Sequence, residues 1–141
     1  MPPSRSGQSR LDHVGIAVRR IMERLPLYAA TLGVEPGPVE EVPGEKVRVV
    51  FLSLGETRLE LLEPSSPDSP LARFLDRRGE GIHHLCFQVG DLEAVLKQLR
   101  GEGVRLVDPS PRAGAGGSKV AFVHPRGTGG VLIELKEEPT R

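Results

Sequence analysis

"LDHVGIAV" at positions 11–18 and "IHHLCFQV" at 82–89 read as one strand written twice. The second copy begins 71 positions after the first, and His13 falls on His84. The same offset sets "RVVFL" (48–52) on "KVAFV" (119–123), with Phe51 on Phe122. Between these pairs lie two helix-like stretches, "RIMERLPLYAATLGV" and "DLEAVLKQLRGEGV". Each ends in Gly-Val, a helix stop followed by a new strand. Further on, "RLELLEP" (58–64) matches "LIELKEE" (132–138), so Glu60 falls on Glu134 once three extra residues are placed in the turn "PRGTGG". Four matches in the same order mark an internal duplication.

Each half reads as βαβββ. The first copy predicts strands near 11–18, 37–42, 46–54 and 57–63, with a helix near 20–32. The second predicts strands near 82–89, 104–109, 118–124 and 130–137, with a helix near 91–102 capped by Asp91. Pro26 belongs in the opening turn of the first helix or kinks it, because an interior proline loses a hydrogen bond. Residues 1–9 read as a disordered tail and 10–138 as a single domain, comprising one module of 10–64, a connector of 65–80 with the short helix "SPLARFLDRRG", and a second module of 81–138. A lone βαβββ unit leaves one sheet face uncovered, so the two copies are expected to pair around a shared core.

Composition sets the outer bounds. The chain has 141 residues, enough for a real core without staples, and 19 basic residues balance 19 acidic ones. That neutrality argues against general attraction to nucleic acid or an anionic membrane. Cys86 is the single cysteine, which excludes an internal disulfide and suits a reducing cytoplasm. No apolar run is long enough to span a bilayer, and "MPPSRSGQSR" has no signal-peptide core.

Strand parity sorts the candidate site. His13 shares a face with Gly15 and Ala17, while Val14, Ile16 and Val18 point under the helix. His84 shares its face with Cys86 and Gln88, opposite Leu85, Phe87 and Val89. The faces that carry the repeated histidine are small or polar, as a cavity wall requires. Glu60 and Glu134 are set among leucines, where a carboxylate is costly unless paired or metal-bound. His83 has no counterpart, since Asp12 holds its place, and it is assigned no ligand role. His13, Glu60, His84 and Glu134 together suit one divalent ion, zinc, manganese, cobalt, nickel or iron(II), with room for solvent or a chelating substrate.

At these residues the sequence resembles the vicinal oxygen chelate superfamily, built from paired βαβββ modules around a divalent ion. Within it, "GIHHLCFQV", "KVAFVHPRGTGGVLIEL", "VVFLSLGETRLELLEP" and "SPLARFLDRRGEG" are similar to the methylmalonyl-CoA epimerase branch. The resemblance implies an α+β fold, in which two paired modules form an open, curved, barrel-like sheet of eight strands around the metal. It implies His13, Glu60, His84 and Glu134 as metal ligands, the Glu60 place being glutamine in some relatives. The chemistry implied is removal and return of the α proton of methylmalonyl-CoA through a metal-chelated enolate, with carboxylates on both faces of the substrate. One of these is Glu134. The other, a third-strand glutamate in a relative, falls on Val49 in a gapless match, and Glu45 is the nearest upstream carboxylate. Arg112, Lys119 and Arg126 are cations able to meet CoA phosphates, and Lys119 and Arg126 are the candidate contacts. A homodimer in the cytoplasm, with one cobalt, manganese, zinc or nickel ion per chain, completes the expectation.

Such chemistry needs no redox cofactor or nucleophile, so Cys86 reads as packing. The glycine-rich "PRAGAGGSKV" (111–120) lacks Walker spacing and is either a cover for the site or a surface turn. His124 in "VHP" is either a support for the site or a solvent-facing turn residue. A glyoxalase I-type lyase, an extradiol dioxygenase and a metal-free binding or resistance protein are the rival readings. The short connectors favour the epimerase over the lyase. The fourth ligand disfavours the dioxygenase, and the intact ligand set disfavours the metal-free protein.

Overall fold

Alternation along each strand decides what the helices cover. The computed structural model describes residues 9–139; the expected tail falls mostly on residues 1–8, outside them. Within the first repeat, β1 (Arg10–Ala17), β2 (Glu40–Val42), β3 (Val47–Leu54) and β4 (Thr57–Pro64) are ordered β2-β3-β4-β1. β1 and β4 run parallel, and the other pairs are antiparallel. α1 (Ile21–Leu32) lies on the face of Val50, Leu52 and Leu61, where Ile21, Leu25, Tyr28 and Ala29 complete an apolar cluster with Ile16 and Val18. Pro26 sits inside α1, which runs on to Leu32.

The second repeat is built alike from β5 (Gly81–Gln88), β6 (Arg112–Ala113), β7 (Lys119–Val123) and β8 (Ile133–Glu137), in the order β5-β8-β7-β6. A helix, numbered α3 (Leu92–Gly101) because α2 (Pro70–Arg78) occupies the connector, covers Ala121, Val123 and Leu135. The described residues divide into two compact units, one of 13–83 and one of 9–12 with 84–139. In the latter, Arg10 donates to the Gln88 side chain at 3.1 Å.

The duplication extends to details that the sequence match did not specify. Both helices end on a left-handed glycine, Gly33 and Gly103 at φ 67° and 75°, followed by a bond across six residues: Val34 N–H reaches Ala29 C=O and Val104 N–H reaches Leu99 C=O. Both helices also start on a glutamate from the last strand of their repeat. Ile21 N–H donates to Glu63 Oε1 at 2.7 Å, and Leu92 N–H to Glu137 Oε1 at 2.9 Å. A carboxylate there satisfies an orphan N–H and meets the positive end of the helix dipole. Asp91 caps α3 as expected, accepting from Ala94 N–H.

Two expected strands are shorter or displaced. Instead of 37–42, β2 is Glu40–Val42, preceded by a single bridge from Pro36 to Leu52. Instead of 104–109, the second repeat has a single bridge from Leu106 to Val123, and its short strand forms later, at Arg112–Ala113. Pro36, Pro38, Pro109 and Pro111 explain both, since each removes a ladder donor.

Glu80 joins the connector to α1 by accepting from Arg19 N–H at 2.8 Å and from Arg24 Nε at 2.7 Å. These bonds hold its carboxyl below the usual carboxylate range. A depressed pKa stabilises the fold above the unfolded-state value and is lost as pH falls through the folded one. Glu80→Gln is therefore expected to lower stability by about 1 kcal/mol at neutral pH. Melts repeated toward pH 3 should show the two proteins converging.

Candidate metal centre

The ladder places each candidate carboxylate in the same setting. In the first repeat Glu60 lies between Gly15 on β1 and Phe51 on β3. In the second, Glu134 lies between Cys86 on β5 and Phe122 on β7. His13 and His84 stand two residues before Gly15 and Cys86, on the same face and away from the helix. The resulting pairs are alike: His13 Nε2 is 3.2 Å from Glu60 Oε1, and His84 Nε2 is 3.0 Å from Glu134 Oε1.

All four side chains are buried, with Glu60 only 5% and Glu134 only 7% exposed. Phenylalanines fix both imidazoles edge to face, Phe51 against His13 at 5.4 Å and Phe122 against His84 at 5.8 Å. An arginine lies over each of those rings, Arg58 at 3.9 Å and Arg112 at 5.5 Å. The arrangement in each repeat is thus phenylalanine, histidine, glutamate, with an arginine on the phenylalanine that comes from β4 in the first repeat and from β6 in the second.

Such pairs fit a divalent cation. Bonds of about 2.1 Å to imidazole nitrogen and carboxylate oxygen put neighbouring donors about 3.0–3.4 Å apart, which is the separation within each pair. A carboxylate buried among apolar side chains carries a negative charge that a cation would neutralise. The donor set of nitrogen and oxygen matches borderline and hard divalent metals.

The other candidates are placed as follows. Glu45 is half-buried in a 3-10 turn, Pro43–Glu45, past the end of β2. Val49, which the gapless match put in the second-base position, is buried on β3 opposite Glu40. Lys119 is exposed and shares its face with Ala121 and Val123, the α3 side of β7. Arg126 is exposed in the turn Pro125–Gly127. His124 is a turn residue: its Nδ1 accepts from Arg126 N–H at 3.1 Å, and burial with Arg105 and Arg126 nearby lowers its pKa. Cys86 is wholly buried, and His83 packs edge to face on Phe74 at 4.8 Å.

The glycine-rich segment folds into β6 and a tight turn. Ser118 Oγ donates to Ala115 C=O, and a Cβ at Gly114 would lie 2.6 Å from Val120 Cγ1. One buried ion pair was missed at the sequence level: Asp12 with Lys136 at 3.4 Å, both less than a tenth exposed. Its signal was available, since Lys136 stands two residues after Glu134, on the same face of the strand.

Residues 12–122 match the Glyoxalase/Bleomycin resistance protein/Dioxygenase superfamily. The chain is 44% identical over 129 residues to the uncharacterized protein YqjC of Bacillus subtilis, covering 92% of each. It is 40% identical over 134 residues to the mitochondrial methylmalonyl-CoA epimerase of Dictyostelium discoideum, covering 94% of this chain and 80% of that one. A variant of Streptomyces coelicolor methylmalonyl-CoA epimerase, solved in complex with 2-nitronate-propionyl-CoA, superposes with a TM-score of 0.89 at 35% identity, over 94% of this chain and 96% of that one. The two βαβββ repeats expected from the sequence are therefore those of a vicinal oxygen chelate fold, and the chain belongs to the glyoxalase/bleomycin resistance/dioxygenase superfamily, in the branch of the methylmalonyl-CoA epimerases.

Proposed function

We propose that this protein interconverts (2R)- and (2S)-methylmalonyl-CoA, with His13, Glu60, His84 and Glu134 as the four donors to one divalent cation. The observation that carries the reading is the doubled pair, a buried histidine Nε2 within hydrogen-bond distance of a buried glutamate oxygen at the same register of both repeats. Its support from outside the chain is the 40% identity to an epimerase over nearly the whole length.

The α carbon of the substrate lies between a thioester and a carboxylate, and its proton is only weakly acidic. Glu134 takes that proton: the C–H bond breaks, an O–H bond forms, and the electron pair spreads into the thioester as an enolate. A carboxylic acid on the other face gives a proton back, the electron pair returns to carbon, and the configuration is inverted. A divalent cation, when bound, supplies positive charge to the oxygens on which negative charge grows. The Streptomyces complex supports this, because a nitronate is a planar anion with the charge distribution of such an enolate. Burial among leucines keeps water from competing for these charges.

Glu45 is the sequence-level candidate for the second carboxylate. Lys119 and Arg126 are exposed cations able to meet CoA phosphates, and alanine at each is the test through KM. Cobalt, manganese, zinc and nickel all suit the donors. The reading includes a homodimer, as the family resemblance implies, and the cytoplasm, which the single Cys86 suits. Among the described residues no helix is long and apolar enough to cross a membrane.

The deciding experiment incubates the metal-loaded protein with one epimer in D2O and follows the α carbon. Deuterium incorporation with inversion is expected. Absence of both, with turnover of the glutathione–methylglyoxal hemithioacetal, would assign the protein to glyoxalase I chemistry instead.

A further inference from the structure

The two repeats agree at every element of the metal platform and differ beside it. Val49 on β3 and Val120 on β7 are equivalent, 71 positions apart, and each is buried two residues before the phenylalanine that holds the histidine. Their cross-strand partners are Glu40 on β2 and Arg112 on β6. One slot thus carries a carboxylate in the first repeat and a guanidinium in the second, where Arg112 pairs with Asp108 at 3.1 Å. A reaction that handles two faces of one carbon needs an asymmetry of this kind in an otherwise repeated site.

We propose that Glu40 is the second proton-transfer carboxylate, the partner of Glu134; this rests on the epimerase reading above. Directly opposed residues of an antiparallel pair share a face, so Glu40 stands on the face of Val49, Phe51 and Glu60. On the strands of that unit, the carboxylates on this face are Glu60 and Glu40. Glu41 and Glu63 lie on the opposite face, both paired with Arg48. Glu40 is half-buried beside Val49, on the sheet face that continues to Leu62 and Glu60, which suits a group that must exchange a proton with carbon. Glu45 lies beyond the end of β2, off the ladder altogether. In one direction Glu40 starts as the acid, losing its O–H proton to the enolate carbon while Glu134 has gained the substrate proton. In the reverse direction the two exchange roles.

Glu40→Gln, Glu40→Ala, Glu45→Gln and Glu41→Gln are compared with wild type after metal loading, with bound metal and melting temperature measured for each. Each epimer is incubated separately in D2O, and inversion and α-deuteration are followed separately. Both Glu40 variants should bind metal as wild type does and lose inversion by about 100-fold or more. They should still deuterate one epimer with retention, because the Glu134 face is intact. Glu41→Gln should behave as wild type. Inversion within threefold of wild type in a folded Glu40 variant overturns the proposal. So does equal loss of exchange from both epimers, or the split between exchange and inversion arising in Glu45→Gln instead. If wild type shows neither exchange nor inversion, the epimerase reading has failed and the proposal falls with it.

Discussion

Changing His84 to alanine is expected to leave the protein with less than about a tenth of the divalent cation held by wild type after reconstitution and dialysis, and to lower turnover by about 1000-fold or more. The imidazole is 2% exposed, its Nε2 is 3.0 Å from Glu134, and its ring is held by the edge of Phe122. A preset ring pays little ordering cost on binding metal, so its removal takes away a fully oriented donor. The fold should survive with a loss of about 1–3 kcal/mol, since Glu134 loses its polar neighbour at 3.0 Å in a buried place. Elemental analysis measures the metal, and the melt offers an independent readout. A ligand present at 100 times its Kd stabilises the folded state by about 2.7 kcal/mol, so wild type should melt higher when cation is added and His84→Ala should not. His83→Ala, which removes the ring packed against Phe74, should keep both metal and turnover. Full metal retention by His84→Ala would remove the donor set on which the mechanism stands.

The contrast between His83 and His84 was legible in the sequence because only one of them recurs. A repeat gives a second reading of every position, and His13/His84 and Glu60/Glu134 could be paired before any strand was placed. The period-two alternation then assigned their faces, and Val18, Leu61, Val89 and Leu135 do lie on the helix side. What the sequence hid depends on pairing rather than pattern. The second strand of each module was expected too early, because Val104, Leu106 and Val107 read as strand while the prolines after them delay the ladder to Arg112. Register across the strands was the other thing out of reach. Nearness along the chain pointed to Glu45, whereas register sets Glu40 beside Val49. Lys136 was legible only in part: its place on the strand face of Glu134 marked it, but its partner Asp12 lies 124 positions away and could not be named from the sequence.

Glu134→Gln should separate two duties that the wild-type residue combines. Glutamine keeps the shape of the side chain and still offers an oxygen to a cation, but it has no charge and cannot accept the substrate's proton. Bound metal at saturating concentration is therefore expected to fall by no more than about threefold, while turnover falls by about 10²- to 10⁴-fold, the range of a lost general base. Glu60→Gln is the matched comparison within one molecule. Glu60 holds the equivalent register, lies equally close to its histidine and is just as buried, so the change in ligand charge is the same. It has no assigned proton to move, and its variant should lose turnover only about tenfold or less. The comparison cancels what the substitutions share, namely the loss of one negative charge next to the cation and any strain from the amide. What is left is the proton-transfer role of Glu134 alone. Equal losses in the two variants, scaling with metal content, would make Glu134 a ligand only and would move the first proton transfer to a different group.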